Sequence, residues 1–157
     1  MDRPRAVCSD LTRTGFVGTE VPNKYTENFN TVAASRDGAV ACARDAYEAA
    51  RPLQGWQVDD ACRNVIEEAG YGECYVHRTG HSIGQEVQGN GANMDNLETR
   101  EDRLVMKQTC FSIEPGIYQS QFGVRSEVDV YVDAEGQVHV TGGDLQTEIV
   151  RILADFV

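Results

Sequence analysis

The residues of this chain best equipped for chemistry lie in three short runs. They are His77-Arg78-Thr79-Gly80-His81-Ser82-Ile83-Gly84, then Ile113-Glu114-Pro115-Gly116, then Val124-Arg125-Ser126-Glu127. One imidazole, from His81, and two carboxylates, from Glu114 and Glu127, make an oxygen-rich donor set for a metal ion, and Asp10 in Ser9-Asp10-Leu11-Thr12 brings it to four. An imidazole with three carboxylates suits Mn²⁺, Fe²⁺, Co²⁺ or Zn²⁺, and a set without cysteine argues against structural zinc. Bridging carboxylates also suit two ions held roughly 3.5–4 Å apart, which activate a shared water for hydrolysis.

Each residue has a plainer alternative. His81 stands between Gly80 and Gly84, where a histidine is commonly a turn residue. Glu114 closes the apolar run Phe111-Ser112-Ile113. Its desolvation costs several kcal/mol, on the order of a buried unpaired ion, unless a cation or a partner such as Arg125 compensates. Alternation along 124–132 puts Val124, Ser126, Val128, Val130 and Val132 on one face and Arg125, Glu127, Asp129 and Tyr131 on the other. That second face is either solvent or the wall of a polar site. Asp10 by itself is an ordinary strand-end aspartate.

The bulk properties narrow the field. The 157 residues suffice for one domain with a real core. With 14 basic against 25 acidic residues, the formal charge of −11 makes nucleic acid and anionic membranes poor partners and favours cations. No apolar run is long enough for a bilayer, and Met1-Asp2-Arg3-Pro4-Arg5 does not open a secretory signal. The five cysteines are odd in number and form no CxxC pair, which reads as reduced thiols in the cytoplasm.

These residues need elements to hold them. Residues 5–17 read as a strand. Residues 25–51 read as a long helix, weakened at Gly38 and ended by Pro52, and 57–69 as a second helix with Asp59 and Asp60 in its first turn and Gly70 just past its end. Cys74–Val76 reads as a short strand and 84–103 as loop. Residues 109–114, 122–132, 137–141 and 146–152 are further strands, with a hairpin over 128–141 turning at Ala134-Glu135-Gly136-Gln137. The order predicts an α+β fold with helices on one face of a mostly antiparallel sheet.

Four runs together carry a resemblance: Ser-Asp-Leu-Thr-Arg-Thr, His-Arg-Thr-Gly-His-Ser-Ile-Gly, Phe-Ser-Ile-Glu-Pro-Gly-Ile-Tyr and Gly-Val-Arg-Ser-Glu-Val-Asp. In this order, over residues 9–129, they resemble the pita-bread metallopeptidases. The similarity is to the Xaa-Pro aminopeptidase and Xaa-Pro dipeptidase (prolidase) branch rather than to methionine aminopeptidase. It implies a curved pita-bread α+β fold, a dinuclear divalent-metal centre, and hydrolysis of the bond after an N-terminal residue with proline second. By position, Asp10 and Glu127 resemble the bridging carboxylates, and His81 and Glu114 the other ligands of one ion. Glu114 also resembles the general base, His77 the histidine that meets substrate, and Arg125 the arginine that steadies the bridging glutamate.

The departures carry equal weight. Where the family has a further catalytic histidine seven residues past His81, this chain has Gln88, which cannot become cationic to stabilise an oxyanion. The family's first metal aspartate lies upstream of the bridging one, and here only Asp2 precedes Asp10, with Pro4 ill-suited to a paired strand between them. The resemblance therefore implies an N-terminally incomplete catalytic domain with one metal site intact and the second incomplete. It also leaves a non-catalytic pita-bread module that binds peptides or proteins as the alternative. On this reading residues 5–17 form an open sheet edge, and self-association through that surface is expected. Light scattering should show assemblies larger than one chain; a clean monomer with a cooperative melt counts against it.

Overall fold

The computed structural model describes residues 5–156, so Asp2 and Pro4 lie outside the described residues. In chain order the elements are β1 (Gly15–Phe16), α1 (Asn23–Glu48), α2 (Gly55–Glu68), a 3₁₀ turn (Gly72–Cys74), β2 (Ser82–Ile83), β3 (Thr109–Ile113), β4 (Gly116–Tyr118), β5 (Gly123–Arg125), β6 (Val128–Val132), β7 (Val138–Thr141), β8 (Val150–Arg151) and α3 (Ile152–Asp155).

Two helices and a four-stranded sheet make the frame. α1 buries Phe29, Val32, Ala39, Val40, Ala43 and Ala46, a stripe at spacings of three, four and seven. α2 buries Val58, Cys62 and Ile66 at steps of four and packs against α1. Its first turn is tied by the Gln57 side chain, which accepts the Gln54 N–H at 2.9 Å. It stops at Ala69, followed by Gly70 at φ +84°, a left-handed angle that glycine adopts without strain. The sheet runs β2-β3-β6-β7, antiparallel throughout, with Phe111 opposite Val130 and Ile113 opposite Val128. Phe111, Ile113, Val128, Val130 and Val132 join the helical residues in one core. β4 and β5 form a second antiparallel pair, and β1 runs parallel to β8.

Five expectations change. The strand over 5–17 shrinks to Gly15–Phe16; residues 6–14 are extended and alternate in exposure, but side chains of other segments, not a ladder, take many of their backbone bonds. Val7, Leu11 and Val17 stand on the outward side. Residues 122–132 divide at Ser126-Glu127 into β5, which pairs with β4, and β6, which pairs with β3 and β7. Cys74–Val76 is not a strand: the 3₁₀ turn ends at Cys74 and the chain continues irregularly. The strand over 146–152 is cut to β8, with a short helix taking Ile152 onward. Asp59 and Asp60 do not sit in the first turn of α2, which begins at Gly55; Asp59 is fully buried and salt-bridged to Arg63 at 3.0 Å.

The 84–103 segment has no regular structure, yet its acidic side chains organise it. Glu101, 8% exposed, accepts the N–H groups of Asn93 and Arg103 and the Arg103 guanidinium. The Arg103 hydrogen bond, first among these donors, holds its carboxyl down at about 2 from an ordinary 4.5. A depressed acid contributes stability that is present above the unfolded value and lost as pH falls through the folded one. Stability should therefore decline as pH drops from 4.5 towards 2, and Glu101→Gln should flatten part of that decline. Because Arg103 is 57% exposed and screened, the loss at neutral pH should be small, about 1 kcal/mol. Urea denaturation across this range checks both; an unchanged slope in the variant excludes the assignment.

Candidate metal centre

The face of the sheet turned away from the helices carries the chemistry. Along β3 and past its end, Ser112 and Glu114 share that face; at β6, Glu127, Asp129 and Tyr131 do. Its polar wall is the second of the two faces that alternation predicts. Ser126 and the valines fill the helix side, each 5% exposed or less.

His81 is placed by the strand edge beside β3. Its N–H donates to the Ser112 hydroxyl at 3.0 Å, and its carbonyl accepts the Ser112 N–H at 2.9 Å. Gly80, just before it, passes so close that a Cβ there would lie 1.9 Å from the Ser112 carbonyl oxygen, so only glycine fits. The imidazole Nδ1 donates to the Ser82 carbonyl at 3.1 Å, which leaves Nε2 with a bare lone pair. That lone pair faces Asp10 Oδ2 at 3.4 Å and Glu114 Oε1 at 3.5 Å.

The carboxylates are held from behind. The Asp10 N–H donates to the Asp129 carboxylate at 3.1 Å, and the Ser9 hydroxyl donates to the same oxygen at 3.0 Å. Glu114 takes a hydrogen bond from Ser112 on Oε1 at 3.2 Å and an ion pair from Arg125 on Oε2 at 2.8 Å. The buried ion pair with Arg125 is thus present, together with the contact to His81. The Glu127 N–H donates to the Thr12 carbonyl at 3.1 Å, and the Thr12 hydroxyl donates to Glu127 Oε2. Glu127 Oε1 is buried with no hydrogen-bond partner among the described residues. Burial, reinforced by the Glu114 and Asp10 charges, pushes the Glu127 carboxyl up to about 7.

Arg125, Tyr118 and His77 form the far side. The Tyr118 hydroxyl accepts from Arg125 Nε at 2.7 Å and donates to His77 Nε2 at 2.9 Å. His77 Nδ1 donates to the Arg78 carbonyl at 2.7 Å, and burial, together with the Arg125 charge, pushes its pKa down, so the ring stays neutral. Gln88 is exposed on the 84–91 turn, and its side chain makes no hydrogen bond among the described residues. The sequence motifs assign no role to Tyr118, Thr12, Ser112 or Asp129. Asp129 and Ser112 do carry a signal, since each lies two residues from a ligand candidate on the same strand face.

Among the described residues no three His, Cys, Asp or Glu side chains are gathered tightly enough to hold an ion as they stand. The chemistry of the set nonetheless fits a cation. His81 Nε2, Asp10 Oδ2, Glu114 Oε1 and Glu127 Oε1 are all acceptors, and the last is buried with nothing to accept. A cavity of about 630 Å³ opens on the same sheet face, lined by Cys8, Ser9, Ser82, Cys110, Asp129 and Tyr131. None of the four ligand candidates lines it, so it lies beside the cluster rather than over it.

Residues 4–134 match the model of metallopeptidase family M24. An Xaa-Pro dipeptidase of Lactobacillus helveticus is 34% identical over 146 residues, 92% of this chain and 36% of that protein. The crystal structure of an X-Pro aminopeptidase from Thermotoga maritima superposes with a TM-score of 0.78 at 30% identity, covering 92% of this chain and 37% of that one. A dipeptidase structure from Pyrococcus horikoshii gives 0.77 at 31% identity, with the same 92% and 37%. The chain spans about a third of the length of the curated relatives it matches.

Among the described residues Glu127 Oε1 is a buried carboxylate oxygen with no donor. Glu127→Gln replaces that charge by a neutral amide whose oxygen can still accept from Thr12. In chelator the variant should be more stable than the unsubstituted chain by about 1–2 kcal/mol, since an uncompensated buried charge is removed. The same variant should lose the stabilisation that added Zn²⁺ or Mn²⁺ gives. Thermal melts with and without metal read both effects, and a variant less stable in chelator defeats the argument.

Proposed function

Because the chain belongs to metallopeptidase family M24 and shares part of its pita-bread fold, we propose that Asp10, His81, Glu114 and Glu127 hold one divalent ion at a peptide-hydrolysing site. The substrate is a peptide with proline second, cut after its N-terminal residue. The observation that carries this is the all-acceptor cluster around His81 Nε2, with Glu127 Oε1 buried and unpartnered. When bound, the ion (Mn, Co, Zn or Fe) supplies Lewis acidity that lowers the pKa of water and polarises a peptide carbonyl.

The chain's own residues do the rest. Glu114 takes the proton of the attacking water and passes it to the leaving amine nitrogen as the peptide C–N bond breaks, while Arg125 pins Oε2 and keeps the carboxylate from rotating away. Tyr118 holds Arg125 and His77 at a fixed spacing, so the neutral His77 ring meets the substrate near the scissile bond. Gln88 is the weak point, since a neutral amide on an exposed turn supplies no cationic stabilisation to an oxyanion. Turnover by these 157 residues is accordingly low. A cytoplasmic location goes with this reading, since thiols at five dispersed positions need a reducing compartment. Self-association through the exposed side chains of Val7 and Leu11 goes with it as well.

Gln88 favours a second reading, a module that binds peptides in the cleft without cutting them. One experiment separates the two: Xaa-Pro dipeptides and longer Xaa-Pro peptides assayed with Mn²⁺, Co²⁺ and Zn²⁺ in turn. We expect slow release of the N-terminal residue, lost in Glu114→Gln; Gln88→His raises it only if the absence of an upstream metal aspartate is not the dominant defect. Peptide binding with no release under any metal supports the second reading. Metal analysis after exhaustive dialysis should return one ion per chain, and two per chain refutes the single-ion site.

A further inference from the structure

α2 carries a pair of charges that the site described above does not use. Asp59 is fully buried, and all its bonds are to other parts of the fold or to Arg63. It accepts Arg63 Nε at 3.0 Å and Nη2 at 3.2 Å, the Thr79 N–H at 2.8 Å and the Asn96 N–H at 3.2 Å. Arg63, one turn further along the helix, spends its remaining donors on backbone. Nη1 donates to the Tyr75 carbonyl at 3.1 Å and Nη2 to the His77 carbonyl at 3.0 Å. Its guanidinium lies 4.3 Å from the centre of the Tyr75 ring, and that ring packs edge-on against the His77 imidazole at 5.2 Å.

We propose that Arg63, anchored by Asp59, is a positioning residue that fixes the His77 ring and, through Thr79, the backbone of Glu114. The irregular stretch from Tyr75 to Thr79 has no ladder of its own, because the expected strand there does not form. A planar guanidinium with two parallel donors replaces the ladder, gripping two carbonyls two residues apart. With both carbonyls held, the Arg78 carbonyl is set 2.7 Å from His77 Nδ1 and locks one tautomer, which presents Nε2 as an acceptor to Tyr118. On the other side of the clamp, Asp59 holds the Thr79 N–H, and the carbonyl of Thr79 accepts the Glu114 N–H at 2.7 Å. One helix turn thereby sets the spacing between the histidine that meets substrate and the glutamate that takes the proton. The importance of that spacing rests on the peptidase reading; the clamp itself does not.

The test reads the ring, not turnover. The 157-residue chain holds three histidines, so two-bond ¹H–¹⁵N spectra resolve each imidazole. At roughly pH 8.5 imidazoles are neutral and the two ring-nitrogen shifts report tautomer. In the unsubstituted chain His77 should show one protonated and one bare nitrogen. In Arg63→Met the two His77 shifts should converge towards the averaged values of a free imidazole, while His139 stays unchanged. A Met variant that melts lower but keeps the His77 shifts shows a merely structural role and overturns the proposal. Should that variant not fold, Arg63→Lys decides. It keeps a charge against Asp59 but can reach only one carbonyl, so its His77 shifts should move partway, and unmoved shifts overturn the proposal equally. Zn²⁺ added to the unsubstituted chain should perturb His81. A silent His81 would count against metal binding alone and leave the role of Arg63 to be decided by the His77 shifts.

Discussion

Carboxylates brought out of water set the terms for this fold. Glu114 and Glu127 are 9% and 5% exposed, and Asp129 behind them is 3% exposed. An ionised carboxylate in such a place costs several kcal/mol, on the order of the penalty for any buried ion, unless donors or a cation meet it. Much of the surrounding structure meets that demand. Arg125 and Ser112 serve Glu114, Thr12 serves Glu127, and the Asp10 N–H and the Ser9 hydroxyl serve Asp129. One oxygen, Glu127 Oε1, is left without a donor among the described residues.

The cluster stands on a sheet whose opposite face is buried. Phe111, Ile113, Val128, Val130 and Val132 lie against the two packed helices and fix the strands to their register. Residues 9–14 then cross the polar side and are secured piecemeal. The Gln146 amide accepts the Thr14 N–H and donates to the Thr14 carbonyl, doing for one residue what a neighbouring strand does for many. Arg36, 1% exposed on α1, donates to Ser126 and to the Gln146 carbonyl, so the long helix also braces the residue that precedes Glu127.

The helices, the hairpin and the polarity of the two sheet faces are legible in the sequence because each depends on a local period. Alternation from Val124 to Val132 puts Glu127 and Asp129 on the face where they stand, and the apolar steps of α1 and α2 mark their buried sides. What is not legible has a shared cause. The extended run 6–14 is held piecemeal, by the distant side chains of Asp129 and Gln146 and by single backbone bonds such as Cys8 to Gly84 and Glu127 to Thr12. Along Tyr75–Thr79, bonds from Arg63 and Asp59 stand in place of a ladder, and they come from a helix whose inward-facing charges leave no mark on its apolar period. Asp59 has the local surroundings of a solvated first-turn aspartate, and nothing nearby in sequence distinguishes it from Asp60.

By itself the sequence determined the donor types, their order along the chain, the faces of the strands and the family to which the motifs point. Only the tertiary structure decided that Asp10, His81 and Glu114 meet, that Glu127 keeps an oxygen free, and that Tyr118 joins Arg125 to His77. The reason is physical. Period and propensity act over a few residues, whereas whether a buried charge finds its partner depends on atoms brought together from remote segments, as Thr12 and Glu127 are, 115 positions from one another.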